Sequence, residues 1–323
     1  MNKIKKKQLS EKIKNIPEQK GIFSFSDNEK ILYVCKTSNI KKRIEFFQNN
    51  IGNDKTILQL MSLTETIEWE ITPTLFSALI KEKKIISSKN PEFNYQLKPY
   101  SSYVYLGIDF YRPPYFRITE NTQGELFYLG PFRDRFFLHD FMQTMMYLFQ
   151  YPACEDENYP CRFYQKKICT GFCLQDSKEI NEIIQKFYLF PNFKILENID
   201  QKREELSQNL EFQKADLVQK QSYLISKYYQ ILKFLHTTKS IEMEFSENNI
   251  FCKIKKGKLS ELNENGVIQY FESAELNYRK NEKLALEKDQ LDEMWIIYDF
   301  LHKTYPKEID KIYSKSISTT NIF

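Results

Sequence analysis

Four cysteines crowd into 20 residues of this 323-residue chain: Cys154, Cys161, Cys169 and Cys173, spaced C-x6-C-x7-C-x3-C. No other feature constrains the fold as strongly, because four thiolates held that close together would staple whatever segment carries them. In a reducing compartment such a cluster reads as a metal site rather than as a pair of disulfides. Structural zinc usually sits between cysteine pairs roughly two to four residues apart, and only Cys169 and Cys173 approach that pattern. Thiolates accept zinc and iron alike, so the spacing leaves the ion open. Cys35 and Cys252 stand apart from the cluster.

A chain of 323 residues exceeds what one core comfortably organises and is expected to form two or three domains. An apolar fraction of 41% suffices to fold, and 28% charged residues is ordinary for a soluble protein. Apolar runs such as Trp295-Ile296-Ile297-Tyr298 are too short to span a membrane. The opening Met1-Asn2-Lys3-Ile4-Lys5-Lys6-Lys7 lacks the apolar core of a secretion signal. A cytoplasmic protein with no membrane partner is therefore expected. A net charge of +4 permits nucleic-acid binding without arguing for it. The 26 Phe and 21 Tyr accompany abundant Lys, Asn and Ile, as an A/T-rich coding sequence would give, so they carry no functional weight.

Along the chain, residues 21–25 and 31–35 are strand-like, with a turn at Asp27-Asn28-Glu29-Lys30. A short helix follows, capped by Ser38 or Asn39, with Ile40, Ile44 and Phe47 inward and Arg43 beside that stripe. A second helix is expected from Thr72-Pro73, with Leu75, Leu79 and Ile86 as its buried stripe. Glu82 falls in the middle of that stripe. A carboxylate there needs a helix end turned to water, an ion pair with Lys83 or Lys84, or a function. Residues 103–118 read as a strand pair broken at Arg112-Pro113-Pro114, and residues 135–149 as a helix. Residues 180–235 suggest a helical hairpin about Asn209. Later come strands at 241–245 and 250–254, a turn at Lys256-Gly257, a helix over 284–303 and a frayed last ten residues.

Five stretches then line up in order with one family. Gly21-Ile22-Phe23, Tyr33-Val34-Cys35-Lys36 and Asn39-Ile40-Lys41-Lys42-Arg43 resemble the GIY…YIG-K…N-L-x-x-R opening of the nuclease domain in the UvrC excinuclease family. Leu79-Ile80-Lys81-Glu82 and then Phe93-Asn94 are similar to its L-L-x-E…Y-N block, and Tyr128-Leu129-Gly130-Pro131-Phe132 to its Y-F-G-P-Y element. Cys161-Arg162-Phe163-Tyr164-Gln165 with Cys169 and Cys173 resembles its C-x-x-Y-Q…C-x-G-x-C cluster. Leu210-Glu211-Phe212-Gln213-Lys214-Ala215 resembles the UVR motif that docks on the UvrB helicase. The family's ribonuclease-H-like second nuclease has no counterpart in these residues, so the resemblance is to the short, Cho-like relatives.

The resemblance implies an α+β chain in four parts. Residues 15–98 would be a small GIY-YIG nuclease domain, a mixed sheet with helices. Residues 99–178 would be a linker and cysteine-rich metal-cluster module, and 179–237 the helical UVR-type hairpin. Residues 238–323 would be a small α+β region without an assigned role. The implied activity is metal-dependent nicking of double-stranded damaged DNA on the 3′ side of the lesion, in nucleotide excision repair with a UvrB-like helicase. The alternative is a catalytically degenerate protein of the same fold that binds DNA or a repair partner.

By the same resemblance Glu82 would hold one Mg2+ or Mn2+ ion, which suits a hard oxygen ligand. Tyr33 would deprotonate the attacking water, provided nearby cations make its phenol more acidic. Arg43 would neutralise phosphate charge, Lys36 would assist Tyr33 or the phosphate, and Asn94 would fix the geometry. Cys154, Cys161, Cys169 and Cys173 would bind a [4Fe-4S] cluster, with Zn2+ as the alternative. Leu210, Phe212 and Ala215 would contact the helicase. Taken alone, Tyr33 is equally a strand aromatic, Arg43 a solvated helix residue and Asn94 a turn residue. Three positions depart from the family pattern: Phe23 and Phe47 replace tyrosines, and Cys35 replaces the motif glycine.

Overall fold

The structure is a computed structural model that describes residues 2–28, 30–94, 102–112, 114–149, 162–167, 171, 177–247, 250–264, 266–271 and 284–319. In chain order the N-terminal elements are β1 (Asn2–Lys5), α1 (Leu9–Lys12), β2 (Gly21–Asp27), β3 (Lys30–Thr37), α2 (Ile40–Asn49), α3 (Lys55–Leu63), β4 (Thr66–Ile71) and α4 (Leu75–Lys89). Then come β5 (Val104–Ile108), β6 (Phe116–Thr119), β7 (Phe127–Phe132), α5 (Arg135–Phe149), α6 (Arg162–Gln165), α7 (Ser177–Ile184), α8 (Lys194–Gln208) and α9 (Phe212–Thr238). The last are β8 (Met243–Glu247), β9 (Ile250–Lys255), β10 (Lys258–Glu264), β11 (Val267–Tyr270), β12 (Leu284–Ala285), α10 (Leu291–Thr304) and α11 (Pro306–Thr319). They divide into two compact units, one of residues 1–98, 242–273 and 292–304, the other of 99–241, 274–291 and 305–323.

The first unit is built on the hairpin of β2 and β3, paired from Gly21↔Thr37 to Asp27↔Lys30. Its sheet has the order β1-β4-β2-β3. A mixed sheet was expected, yet every neighbouring pair among the described residues is antiparallel. The reason is connectivity: α2 and α3 carry the chain from β3 across to β4 on the far side of β2, so the two parallel strands never become neighbours. Two-residue alternation gives the sheet two buried faces. Phe23, Phe25, Ile67 and Trp69 meet Ile40, Ile44 and Phe47 of α2 and Ile57 and Leu60 of α3. Ile22 and Val34 meet Ile86 of α4.

Helix α2 begins where expected and is capped by Asn39, whose Oδ1 accepts from Lys42 N at 2.9 Å. Helix α4 differs. Its cap is Thr74, whose Oγ1 accepts from Ser77 N at 3.1 Å, not the Thr72-Pro73 pair. Leu75 is exposed and Leu79 half-buried, while Phe76, Ile80, Lys83 and Ile86 are buried. A second packing partner sets this phase. Phe76 lies 4.5 Å from Phe300 and 6.0 Å from Phe245, ring centroid to centroid, and the Lys83 ammonium pairs with Asp292. Strands β8 to β11 form a second antiparallel sheet in this unit, in the order β11-β10-β9-β8. Left-handed Lys256 and Gly257 turn β9 into β10, as expected.

The second unit packs α5 and α9 against a sheet of order β12-β7-β5-β6. Phe141 stacks on Tyr228 at 3.7 Å between centroids, beside buried Leu106, Leu129, Met145 and Leu232. The helix expected from Leu284 starts instead at Leu291, because Leu284 and Ala285 pair in parallel with Leu129 and Gly130. Fraying was expected over the last ten residues, yet residues 314–319 are helical. Helix α11 reaches Thr319, with Pro306 in its first turn, Ile309 fully buried and Asp310 paired to Lys233 of α9 at 2.8 Å. Helices α8 and α9 form a hairpin whose turn at Asn209 is closed by left-handed Leu210 and by Glu211 N donating to Leu206 O at 2.9 Å. Among the described residues, no helix is long and apolar enough to cross a membrane.

Candidate active site

Strand β3 is an edge strand, and an edge strand presents alternate backbone groups outward with no strand to receive them. Here side chains and a short loop receive them. Leu32 O accepts from Phe93 N at 2.9 Å. Val34 N donates to Asn94 Oδ1 at 3.0 Å, and Val34 O accepts from Asn94 Nδ2 at 2.8 Å. Lys36 N donates to Glu82 Oε1 at 3.0 Å. Asn94 and Glu82, far apart in sequence, are thus fixed on one line by the two-residue period of a strand. The Lys36 side chain is exposed beside them.

Tyr33 and Cys35 face the α2 side of β3. The Tyr33 ring lies 6.2 Å from Phe25, 6.4 Å from Phe23 and 5.3 Å from Phe47, centroid to centroid. Phe23 is fully buried and Phe47 nearly so, so the two positions that lack hydroxyls are filled by core rings. Burial among these rings pushes the Tyr33 phenol well above the usual tyrosine range, reinforced by Cys35 and opposed by Arg43. Burial therefore outweighs the acidifying effect of the Arg43 cation on this phenol. The phenol stays protonated at neutral pH and acts as a hydrogen-bond donor, with Cys35 Sγ as its acceptor. The thiol in turn donates to Lys36 O at 3.1 Å. Burial, then the Glu82 charge, pushes the Cys35 thiol up, while Tyr33 and Arg43 pull it down.

Arg43 projects from α2 with its guanidinium 4.8 Å from the Phe46 ring centroid and 5.3 Å from that of Phe47. It reaches the Tyr33 and Cys35 side chains. Glu82 is half-buried. Burial pushes its carboxyl above the usual range, against the Lys36 N–H and the Lys36 charge. Neither lysine considered as its partner takes that part: Lys83 pairs with Asp292, and Lys84 lies over the Phe271 ring at 3.5 Å. Among the described residues, only the Lys36 amide donates a hydrogen bond to this carboxylate. A half-buried carboxylate held by a single N–H fits a divalent cation that draws its remaining ligands from water. No cluster of three or more acidic, His or Cys ligands occurs among the described residues.

This geometry coincides with a family match. Residues 19–95 fit the description "UvrC-like GIY-YIG domain". That stretch is similar to a UvrC-like GIY-YIG domain. Beyond it, the chain is 27% identical to UvrABC system protein C of Pseudoalteromonas translucida over 74% of its own length and 40% of that protein's. It is 29% identical to the Mycoplasma genitalium protein of the same name, over 78% of this chain and 45% of that one. The chain therefore spans less than half the length of these curated relatives. The magnesium-bound GIY-YIG N-terminal endonuclease domain of UvrC from Thermotoga maritima is 20% identical, with a TM-score of 0.25 over 27% of this chain and 96% of that one.

The stretch that matches this family model brings Tyr33, Cys35, Lys36, Arg43, Glu82 and Asn94 to one end of β3 and its flanking helices. Sequence reasoning missed Phe25, whose ring stacks on Tyr33, and Lys83, whose spacing gave no hint of a partner 209 residues away. Outside this domain, Leu210 and Phe212 are exposed at 75% and 63%, at the turn of the α8–α9 hairpin. Ala215 is buried at 6%, so it supports the hairpin rather than presenting a surface. Cys154, Cys161, Cys169 and Cys173 lie outside the described residues.

Proposed function

We propose that this chain is a metal-dependent DNA endonuclease of the UvrC and Cho type, nicking double-stranded damaged DNA on the 3′ side of a lesion during nucleotide excision repair. The observation that carries this reading is the meeting of Glu82, Arg43 and Tyr33 around the edge of β3 within a stretch that matches the UvrC-like nuclease domain. The carboxylate of Glu82 would hold one Mg2+ or Mn2+ ion. When bound, such an ion acidifies a coordinated water and offsets charge on the phosphate. The always-protonated, planar guanidinium of Arg43 binds non-bridging phosphate oxygens. Lys36, exposed on the same strand, adds a second positive charge to the path of the DNA backbone. Tyr33 orients the attacking water through its phenolic oxygen, which accepts a hydrogen bond from the water, and Asn94 keeps β3 straight enough for these groups to converge.

Beyond the nuclease domain, Cys154, Cys161, Cys169 and Cys173 would supply four thiolates to a [4Fe-4S] cluster, or to Zn2+. A brown anaerobic preparation with visible charge-transfer absorption supports iron and sulfur, and a colourless zinc-containing one excludes them. The exposed Leu210 and Phe212 would contact a UvrB-like helicase, with residues 179–237 as the docking hairpin and residues 99–178 as the cluster-bearing linker.

A second reading is favoured by the aromatic packing: Phe23 and Phe47 leave Tyr33 in a drier setting than a reactive phenol needs, which suits a DNA-binding remnant without activity. One assay separates the two. Wild type and Glu82→Ala are compared on a lesion-bearing duplex with Mg2+ or Mn2+, with and without the helicase. Nicking that disappears in the variant supports the enzyme. Equal nicking by both proteins, or none by either, removes it.

A further inference from the structure

The C-terminal strands and helix that fold into the first unit make contacts along α4, on a side of that helix other than the one that carries Glu82. Phe76, in the first turn of α4, packs on Phe300 of α10 and Phe245 of β8, whose own rings lie 5.5 Å apart. Lys84 covers the ring of Phe271. Between them Lys83 and Asp292 form an ion pair whose side chains are 7% and 2% exposed. Successive residues of a helix point about 100° apart around its axis. Glu82 can therefore reach Lys36 N on β3 only while its neighbour Lys83 is turned toward α10. A buried ion pair tolerates little angular error, because either charge left without its partner is strongly destabilising.

We propose that Asp292 is a positioning residue for the metal-site carboxylate, and that residues 242–271 and 292–304 serve as a buttress setting the rotation of α4. Asp292 touches neither substrate nor ion; it acts through Lys83, and Lys83 through the helix it shares with Glu82. This gives the C-terminal region a role in the nuclease site, and it rests on the reading of Glu82 as a metal ligand only in part. The orientation of α4 is reported independently by the Lys36 amide, whose hydrogen bond to Glu82 exists without any ion.

The test compares full-length wild type, Asp292→Asn and the reversed pair Lys83→Asp/Asp292→Lys. Three quantities are read: hydrogen exchange at the Lys36 amide, Mn2+ affinity by electron paramagnetic resonance titration, and nicking at limiting and saturating Mn2+. In Asp292→Asn the Lys36 amide exchanges at least tenfold faster. Mn2+ binding weakens by about 10- to 100-fold, the range seen when residues supporting a ligand are altered. Nicking falls at limiting Mn2+ and recovers at saturation. In the reversed pair, exchange at Lys36 returns toward wild type. A variant that only melts earlier, with Lys36 exchange and Mn2+ affinity unchanged, overturns the proposal. So does a reversed pair that regains stability without protecting Lys36, which decides the matter even if Asp292→Asn does not fold. Should wild type bind no Mn2+ and nick nothing, the nuclease reading fails, while the Lys36 amide still reports whether Asp292 holds Glu82 in place.

Discussion

Replacing Glu82 by glutamine separates the charge of this side chain from its hydrogen bond. The amide keeps an oxygen for the Lys36 N–H, now accepted at 3.0 Å, and loses the negative charge. Burial holds the Glu82 carboxyl above its ordinary 4.5, so the folded metal-free protein binds that proton more tightly than the unfolded chain does. Stability therefore falls as pH climbs from below 4.5 through the raised folded value, and the penalty is complete above that value. Glutamine removes the penalty but weakens one charge-assisted hydrogen bond by about 1 kcal/mol. The metal-free variant at pH 7 should then be at least as stable as wild type. A net gain of up to about 1 kcal/mol would raise the melting temperature by about 2–4 °C. Mn2+ reverses the order. At about a hundred times its dissociation constant, it should stabilise wild type by about 2.7 kcal/mol and the variant not at all. Nicking should fall by about 10²- to 10³-fold, the loss that follows removal of one element of charge stabilisation. Thermal melts with and without Mn2+, run beside plasmid nicking, read all three effects. A variant that Mn2+ stabilises as strongly as wild type, or one that melts several degrees lower without metal, refutes the assignment of this carboxylate.

Asn94→Ala strips both side-chain hydrogen bonds from Val34 and should cost about 1–3 kcal/mol in urea denaturation, with slower nicking; a loss below about 0.5 kcal/mol would mean the edge of β3 needs no clamp. Arg43→Lys keeps the charge but loses the planar fork, so nicking should drop at least about tenfold while the melting temperature moves little and Mn2+ stabilisation persists. In the second unit, burial lowers His236 below its usual 6.5, against the hydrogen bond of its Nε2 to Leu189 O at 2.7 Å. The unfolded chain then binds the proton more tightly, so stability should fall as pH drops below 6.5, and denaturation of His236→Phe at pH 7.5 and 5.5 should show a flatter dependence than wild type.

What the sequence made legible was whatever local pattern decides. The hairpin of β2 and β3 follows from two alternating runs around Asp27-Asn28, and the inner face of α2 from Ile40, Ile44 and Phe47 at helical spacing. Both survive because their partners lie nearby in the chain. The phase of α4 was misread because Phe76 and Lys83 answer to Phe245, Asp292 and Phe300, which no window around residue 80 contains. The lysine-rich β1 became a strand through pairing with β4, where Lys3 lies 3.0 Å from Glu68. Leu284 and Ala285 carry a helical pattern into α10, yet the open edge of β7 takes them. At the site, Glu82 was visible because it broke the apolar stripe, whereas burial outweighs the acidification expected of Tyr33. That expectation counted on nearby cations and overlooked three rings that dry the phenol.

The site depends on register more than on any single contact. Glu82 and Asn94 bind backbone groups of Lys36 and Val34, which point outward from β3, while Tyr33 and Cys35 turn toward α2. A slip of one residue in β3 would exchange these sets, burying Lys36 against the aromatic rings and carrying the phenol to the α4 side. The irregularity between Phe25 and Ser26 lies toward the turn, so pairing from Phe25↔Tyr33 to Gly21↔Thr37 is unbroken across the site. Gly21 anchors the far end of that run, because a Cβ there would meet Glu70 O at 2.1 Å and Ile40 Cδ1 at 2.8 Å. The first residue of the family's opening motif thus works as a spacer: it lets β4 and α2 close on β2, and that closure holds the register on which the carboxylate, guanidinium and phenol all depend.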